Sequence, residues 1–535
     1  MLRPSGTLRR AGLAVILAGA LPVGGCNAIT GADDLELFGP GEGGGAGADG
    51  AGAGNTGTNP GGAGQGGGGG AVETTTSEPP VMATYQDVQG VTISQIALYQ
   101  GVKRPIMENG QASSSTVPIV ANREGTLRVF MATDAGFDGQ PVVARLFLNG
   151  SETAIEQTVS INGNPQEATL GSTLNLKLAG TDIPVGFSFR LELSRLTTEM
   201  LPANPGARWP ASGFAQTGAK SAGNQLKITL VPIAYGADGS NRLPDTSAAQ
   251  IEAYRKLFYG MYPVPEVQIT VREPVQWNNT VSAGGSGWDS LLSSIGSLRS
   301  NDKAAFDVYY YGIFSPASSA QAYCSGGCVA GLGNIGGVND AYSRAAIGLG
   351  FPGDIATETA VHEIGHTHGR YHAPCGGAQG TDPNFPYSGA KIGAWGFDIN
   401  SQKLYSPSST VDLMSYCSPI WVSDYTFTAF FNRIKAVNGA KLNVPDEMKN
   451  RTYDRARVYE DGSMAWLSPV TLETPPFAEP VELTVESDSG QVALTGQFYP
   501  YDHLPGGVVL WPQAGGPTKA VSGKILGGAS VLTAE

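Results

Sequence analysis

Four of the five histidines of this 535-residue chain fall between positions 362 and 372, in the stretch Val361-His362-Glu363-Ile364-Gly365-His366-Thr367-His368-Gly369-Arg370-Tyr371-His372. On a helix, positions i and i+4 lie on one face a turn apart, so His362 and His366 are spaced to hold one metal ion from a single helix. Glu363 sits beside the first of them, within reach of a water on that metal, and has the chemistry of a general base. Gly369 permits a positive φ, which lets a helix end and the chain turn sharply, so that His372 can return as a third ligand. Three imidazoles with a fourth position left open are the pattern of a catalytic zinc site rather than a closed structural one. A lone histidine is ordinarily structural, but the full spacing with its glycine is far harder to reach by chance. The remaining histidines read differently. His368 faces away from His362 and His366 by helical geometry and is expected to face solvent or to back the ligands. Arg370 reads as an ion-pairing or loop-anchoring residue, and His503, far away in sequence, as a surface residue.

Downstream, Asp412-Leu413-Met414-Ser415-Tyr416-Cys417 resembles the Met-turn of the metzincin clan of zinc proteases, and the extended histidine motif resembles that clan's zinc-binding helix. The resemblance implies that Met414 packs beneath the histidines as an apolar floor without binding metal. It implies that Tyr416, like the matching tyrosine of astacin- and serralysin-like members, binds zinc at rest or donates to the oxyanion. Within the clan, H-E-I-G-H-T-H-G-R-Y-H, the following Ala-Pro-Cys-Gly-Gly and the Met-Ser-Tyr-Cys turn are similar to StcE-type mucin-cleaving proteases, with pappalysin-like enzymes as the second choice. The similarity spans about residues 226–440 and does not carry mucin specificity with it. What it implies is a zinc-dependent endopeptidase with one catalytic Zn2+, held by His362, His366 and His372, with Glu363 as general base and extracellular proteins or glycoproteins as substrates. Residues 328–337, CVAGLGNIGG, precede the helix, where metzincins place an edge strand that pairs with an extended substrate. No cysteine lies between 26 and 324, so a cysteine-switch propeptide is not on offer. The contrasting class is a cell-surface binding or adhesion protein whose β domains hold glycan or protein around an inactive metzincin fold. Such a protein would be expected to lose Glu363 or a ligand, and all four are present. A zinc hydrolase acting on a non-peptide bond is a further alternative.

The elements that must position these residues are legible as a change of pattern along the chain. VTISQIALYQ, TLRVFMAT, VVARLFLNG, STLNLKLAG and FSFRLELS are short β-rich runs separated by Gly, Asn, Asp and Pro, which makes residues 85–222 a β-sandwich of immunoglobulin type. From about Leu226 strands alternate with helices: LKITLVPIAY, a helix capped by Asp245 or Thr246, VQITVRE, a helix from Trp288 to Leu298, and FDVYYYGIF. Asp354 is the expected N-cap of the histidine helix. Residues 226–450 are therefore expected to form an α/β catalytic domain, a mixed twisted sheet with an active-site helix, and residues 452–535 a small C-terminal β domain. The fold class is multidomain: an α/β metzincin catalytic domain flanked by β-sandwich-like domains.

The rest of the composition concerns location. Arg3, Arg9 and Arg10 followed by the apolar run from Ala11 to Leu21 and by Val23-Gly24-Gly25-Cys26 read as a secretory signal peptide over residues 1–26, resembling a lipoprotein lipobox in which Cys26 is lipidated. Seventeen of the thirty residues from 41 to 70 are glycine, so residues 27–84 form a tether too poor in apolar surface to fold. An exported protein, lipid-anchored to the bacterial outer membrane or cell surface, is expected. The formal net charge of −13 and the lack of any Lys/Arg run exclude a nucleic-acid footprint. Besides Cys26, four cysteines remain, an even number that favours disulfides in an exported chain. Four allow three pairings, and sequence alone does not choose among them. Because Cys375 follows His372 and Cys417 follows Met414, a 375–417 bridge is preferred as a clamp of the third-ligand loop onto the Met-turn. Cys324 and Cys328 would then close a small loop; as a structural metal pair they lack a second pair of ligands.

Overall fold

The computed structural model describes residues 82–440 and 444–533. The expected signal peptide, Cys26 and all but the last positions of the expected tether lie outside the described residues. Among the described residues no helix is long and apolar enough to cross a membrane. The chain is multidomain and mostly β, with few helices.

All five β-rich runs of the N-terminal part are strands. Val91–Tyr99, Gly125–Thr133 and Leu174–Leu178 belong to one antiparallel sheet, and Val142–Leu148 and Ser188–Thr197 to another. Period-two alternation sets their faces: Val142, Ala144 and Leu146 from one sheet and Leu174, Leu176 and Leu178 from the other turn into a shared core with Leu127, Val129, Leu191 and Leu193.

The central unit is built on a sheet of order Val267–Val271, Leu226–Tyr235, Val308–Phe314, Ala345–Leu349, Gly331–Gly333. The first four strands are parallel, and Gly331–Gly333 is an antiparallel edge. Both faces are covered, so strands such as Val-Tyr-Tyr-Tyr-Gly-Ile-Phe read as unbroken apolar runs. Alternation still decides which side chain goes where. Ile228, Leu230, Tyr311 and Ile313 face α1 (Ala248–Met261) and the histidine helix, while Val231, Ile233, Ile347 and Leu349 face α2 (Trp288–Asn301). Ser247, and neither Asp245 nor Thr246, caps α1 by accepting from Gln250 N at 3.3 Å. After the short α3 (Ala320–Cys324) and the two last strands comes α4 (Asp354–Thr367), which carries the motif. Its N-cap is Gly353 at φ 100°; Asp354 instead occupies the first turn, where a carboxylate is favoured by the helix dipole. Behind α4 lies α5 (Asp424–Gly439), with Phe427, Phe430, Phe431 and Ile434 filling the gap.

The C-terminal unit differs from the expected sandwich. It is one antiparallel sheet of seven strands, from Arg451–Val458 to Gly528–Thr533. Its two outermost strands are drawn together, with Trp466 Nε1 donating to Thr533 O at 3.1 Å. The sheet therefore curls around its own core of Ala456, Val485, Val509, Trp511 and Val521 instead of needing a second layer. Its outer face, with Tyr453, Val470, Tyr499, Val508 and Leu510, packs on α2.

Candidate metal centre

Helix α4 does locally what its spacing requires. His362 and His366 stand one turn apart with their Nε2 atoms 3.1 Å from each other. The helix ends in a pair of bonds that use the last free carbonyls: Gly369 N donates to His366 O at 2.7 Å and Arg370 N to Gly365 O at 3.2 Å. Gly369 has φ 78°, a conformation that favours glycine, and its bare Cα lets the Arg433 guanidinium close over the turn. The turn returns His372, whose ring centre lies 4.7 Å from that of His366 and 5.4 Å from that of His362.

The three rings are locked from behind. Nδ1 of His362 donates to Leu413 O at 2.7 Å, that of His366 to Arg370 O at 2.7 Å, and that of His372 to Gln379 O at 2.5 Å. A carbonyl can only accept, so each proton sits on Nδ1 and each Nε2 lone pair is left to point into the common space. Burial, and the other imidazoles after it, hold His362 and His366 well below the usual histidine range; burial, and then His503, takes His372 down to about 3. All three are therefore neutral, the form in which imidazole binds a metal.

The floor is Met414, 1% exposed and packed under α4 at Gly365, where a Cβ would lie 2.5 Å from the methionine sulfur. Buried Asp412 shapes this turn, accepting from Met414 N at 2.8 Å and Ser423 N at 3.0 Å. Ala373 N donates to Met414 O at 2.9 Å, and Cys375–Cys417 joins the same two segments covalently; Cys324–Cys328 closes the small loop. Arg370 pairs with Asp382 at 2.9 Å and anchors the loop beyond His372.

Glu363 is 2% exposed and its carboxylate faces the edge strand; a Cβ on Gly331 would stand 2.3 Å from Oε1. Burial holds its carboxyl well above the ordinary range. Tyr416 brings its hydroxyl 3.2 Å from His372 Nε2.

Two histidines are not where the sequence put them. His368 does not face solvent: it is 2% exposed, stacks on Tyr309 at 4.4 Å and meets Tyr262 and Phe430 edge-on. Helix α4 is enclosed by the sheet on one side and α5 on the other, so the face away from the ligands is core. Nor is His503 a surface residue. It enters the centre on the turn between Gly490–Pro500 and Gly507–Pro512, hydrogen-bonded to Tyr416 Oη through Nδ1 and 3.1 Å from Glu363 Oε1 through Nε2. Its neighbour Asp502 has a fully buried side chain, with Oδ2 3.0 Å from His366 Nε2. The only local hint was a polar Asp-His pair at the tip of a hairpin between apolar strands.

The donor set fits a metal cation. Four imidazoles, from His362, His366, His372 and His503, offer ring nitrogens that all lie within 4.8 Å of one another. The buried carboxyls of Glu363 and Asp502 lie against each other and against His503 Nε2, 3.1 Å from Glu363 Oε1 and 3.2 Å from Asp502 Oδ2, and among the described residues no Lys or Arg pairs with either group.

Four imidazoles with a carboxylate at their side form a group that could hold a metal ion. Residues 318–418 match the family model described as Peptidase M66, a match that spans the edge strand, α4 and the Met414 turn and supports a metalloprotease. No curated protein matches the chain.

Proposed function

We propose that this protein is a zinc-dependent endopeptidase of metzincin type that cleaves extracellular proteins or glycoproteins. The observation that carries the reading is the convergence of three Nε2 atoms, each fixed by an Nδ1–carbonyl bond, next to the carboxylate of Glu363. His362, His366 and His372 would hold the zinc. When bound, zinc supplies Lewis acidity toward water and toward the scissile carbonyl. Glu363 takes the proton of the attacking water and hands it to the leaving amine. The Tyr416 hydroxyl donates to the oxygen on which charge develops. The edge strand Gly331–Gly333 presents the substrate backbone, and its glycines allow the chain to pass close to Glu363. The expected location is outside the cell, tethered through Cys26.

The test compares wild type, Glu363→Ala, His503→Ala and Leu504→Gly on casein and on a mucin-type glycoprotein, with zinc measured by elemental analysis. His503→Ala is included because residues 501–503 lie across the site. Cleavage that disappears in Glu363→Ala while zinc stays supports the reading. Zinc present and no cleavage by wild type, by His503→Ala or by Leu504→Gly, which unseats the 500–507 turn, overturns it and favours the adhesion protein.

A further inference from the structure

The C-terminal sheet reaches the centre by one turn, residues 500–507, and that turn is seated as if it belonged there. Asn334, next to the edge strand, forms a bridge with Tyr501. Gly333 N donates to Asp502 Oδ1 at 3.3 Å. Leu504 fills the space above Gly285, where a Cβ would meet its Cδ2 at 2.5 Å, and touches the neighbourhood of Val329. At the tip, His503 brings its ring centre to 4.9 Å from His372, 5.4 Å from His362 and 5.5 Å from His366. Asp502 Oδ2 is 3.0 Å from His366 Nε2 and 3.2 Å from His503 Nε2.

Resting on the metalloprotease reading above, we propose that His503 is a fourth protein ligand of the metal, carried on a removable cap. The C-terminal sheet closes the centre with a ring nitrogen in the position that a catalytic site keeps open. Two observations point the same way. The four imidazoles form one group of metal-ligating size, and His503 is the only one of the four from outside the 362–372 stretch. The cap also uses the edge strand that an extended substrate would need: the bridge to Tyr501 and the Gly333 bond to Asp502 occupy the side where a peptide would add as a further strand. Cap and substrate therefore exclude each other twice, once at the metal and once along the backbone. Glu363 Oε1, 3.1 Å from His503 Nε2, is covered at the same time.

The experiment uses the full chain loaded with zinc or with cobalt(II), and its readouts are independent of proteolysis. Zinc release to a coloured chelator is timed for wild type, His503→Ala and Leu504→Gly; the last unseats the cap while keeping the imidazole. Both variants are expected to release zinc roughly tenfold faster or more, on the scale at which lost ligand support weakens metal sites. The visible spectrum of the cobalt(II) form is then followed with added azide, a small anion that needs an open position. Wild type is expected not to respond and both variants to shift, and free imidazole is expected to restore slow release to His503→Ala. Release rates within about twofold of one another, or a wild-type spectrum that responds to azide as the variants do, overturn the proposal. If His503 acts instead as a proton donor, His503→Ala cleaves a short peptide more slowly at unchanged metal release, and the proposal falls while the protease reading stands. If wild type binds no zinc or cobalt at all, the protease reading falls first.

Discussion

The two β units flank the central sheet and are fastened to it by the same device, a buried arginine, yet only one of them reaches the chemistry. From the N-terminal sandwich, Arg123, fully buried, donates to Tyr262 O at 2.8 Å and Val264 O at 2.7 Å and also bonds Tyr259 O, so it caps the carbonyl end of α1. From the C-terminal sheet, Arg455 donates to Ser293 Oγ and Ser297 Oγ on α2 and to Tyr342 Oη, at 3.0 to 3.1 Å. The first anchor ends on α1, on the same face of the sheet as α4 and in the packing that supports it. The second aligns strands whose connecting turn carries His503 into the metal centre. Equal anchoring is thus combined with unequal reach: only the C-terminal sheet places a side chain among the three histidines of the 362–372 stretch that line the site.

That contrast can be broken, and the largest effect should come from the central unit itself. Glu363→Gln is expected to lower kcat by about 10²–10⁴-fold with zinc retained, the range for loss of general acid–base catalysis; comparable kcat in the two proteins would move the chemistry off this residue. Gly331→Ala should lower kcat by roughly 10²-fold, because a Cβ 2.3 Å from Oε1 displaces the carboxylate, an ångström-scale error of the kind that misaligns reacting groups. Unchanged denaturant midpoints would confirm that the loss is local. The arginines sharpen the comparison directly. Arg123→Ala and Arg455→Ala each remove a buried, multiply bonded cation and are expected to destabilise by about 2–4 kcal/mol in denaturant titrations. Only Arg455→Ala should also speed zinc release, and equal effects on release would erase the distinction between the two units.

The smallest effect lies on α4 outside the centre. Burial, and secondarily Asp354, raises the Glu358 carboxyl from 4.5 to about 7. A carboxyl whose folded pKa is raised disfavours the folded state once it ionises, so its contribution is intact below about 4.5 and is lost as pH climbs through 7. Glu358→Gln should therefore be more stable than wild type by about 1–2 kcal/mol at pH 8 and no more stable at pH 4. A stability difference that does not change with pH would contradict this.

What could be read from the sequence is what local geometry fixes. The i, i+4 spacing of His362 and His366, the turn at Gly369 and the return of His372 are consequences of one helix and its end, so they are visible in eleven consecutive letters. The Met414 turn was visible through its likeness to a known pattern, and the pairing of Cys375 with Cys417 through the neighbours each cysteine follows. The strands of the sandwich and of the central sheet showed through their apolar runs. What stayed hidden depends on how separate pieces of chain meet. His368 looked outward on an isolated helix and is core because α5 covers that face. His503 reaches the centre because a whole sheet docks on α2, and nothing within several residues of it encodes that docking. The C-terminal strands were legible one by one, but alternation within a strand does not say whether a sheet finds a second layer or curls upon itself.

The glycines of the edge strand have a consequence for how such an enzyme could diversify. At 331 and at 333 an added methyl group would strike the carboxylate or backbone of Glu363 within 3 Å. On the proposed protease reading these two positions line the substrate, and a side chain at either would displace Glu363, so they are poorly suited to select among substrates. In such an enzyme, cleavage preference would have to be written in parts of the chain that can change without touching Glu363.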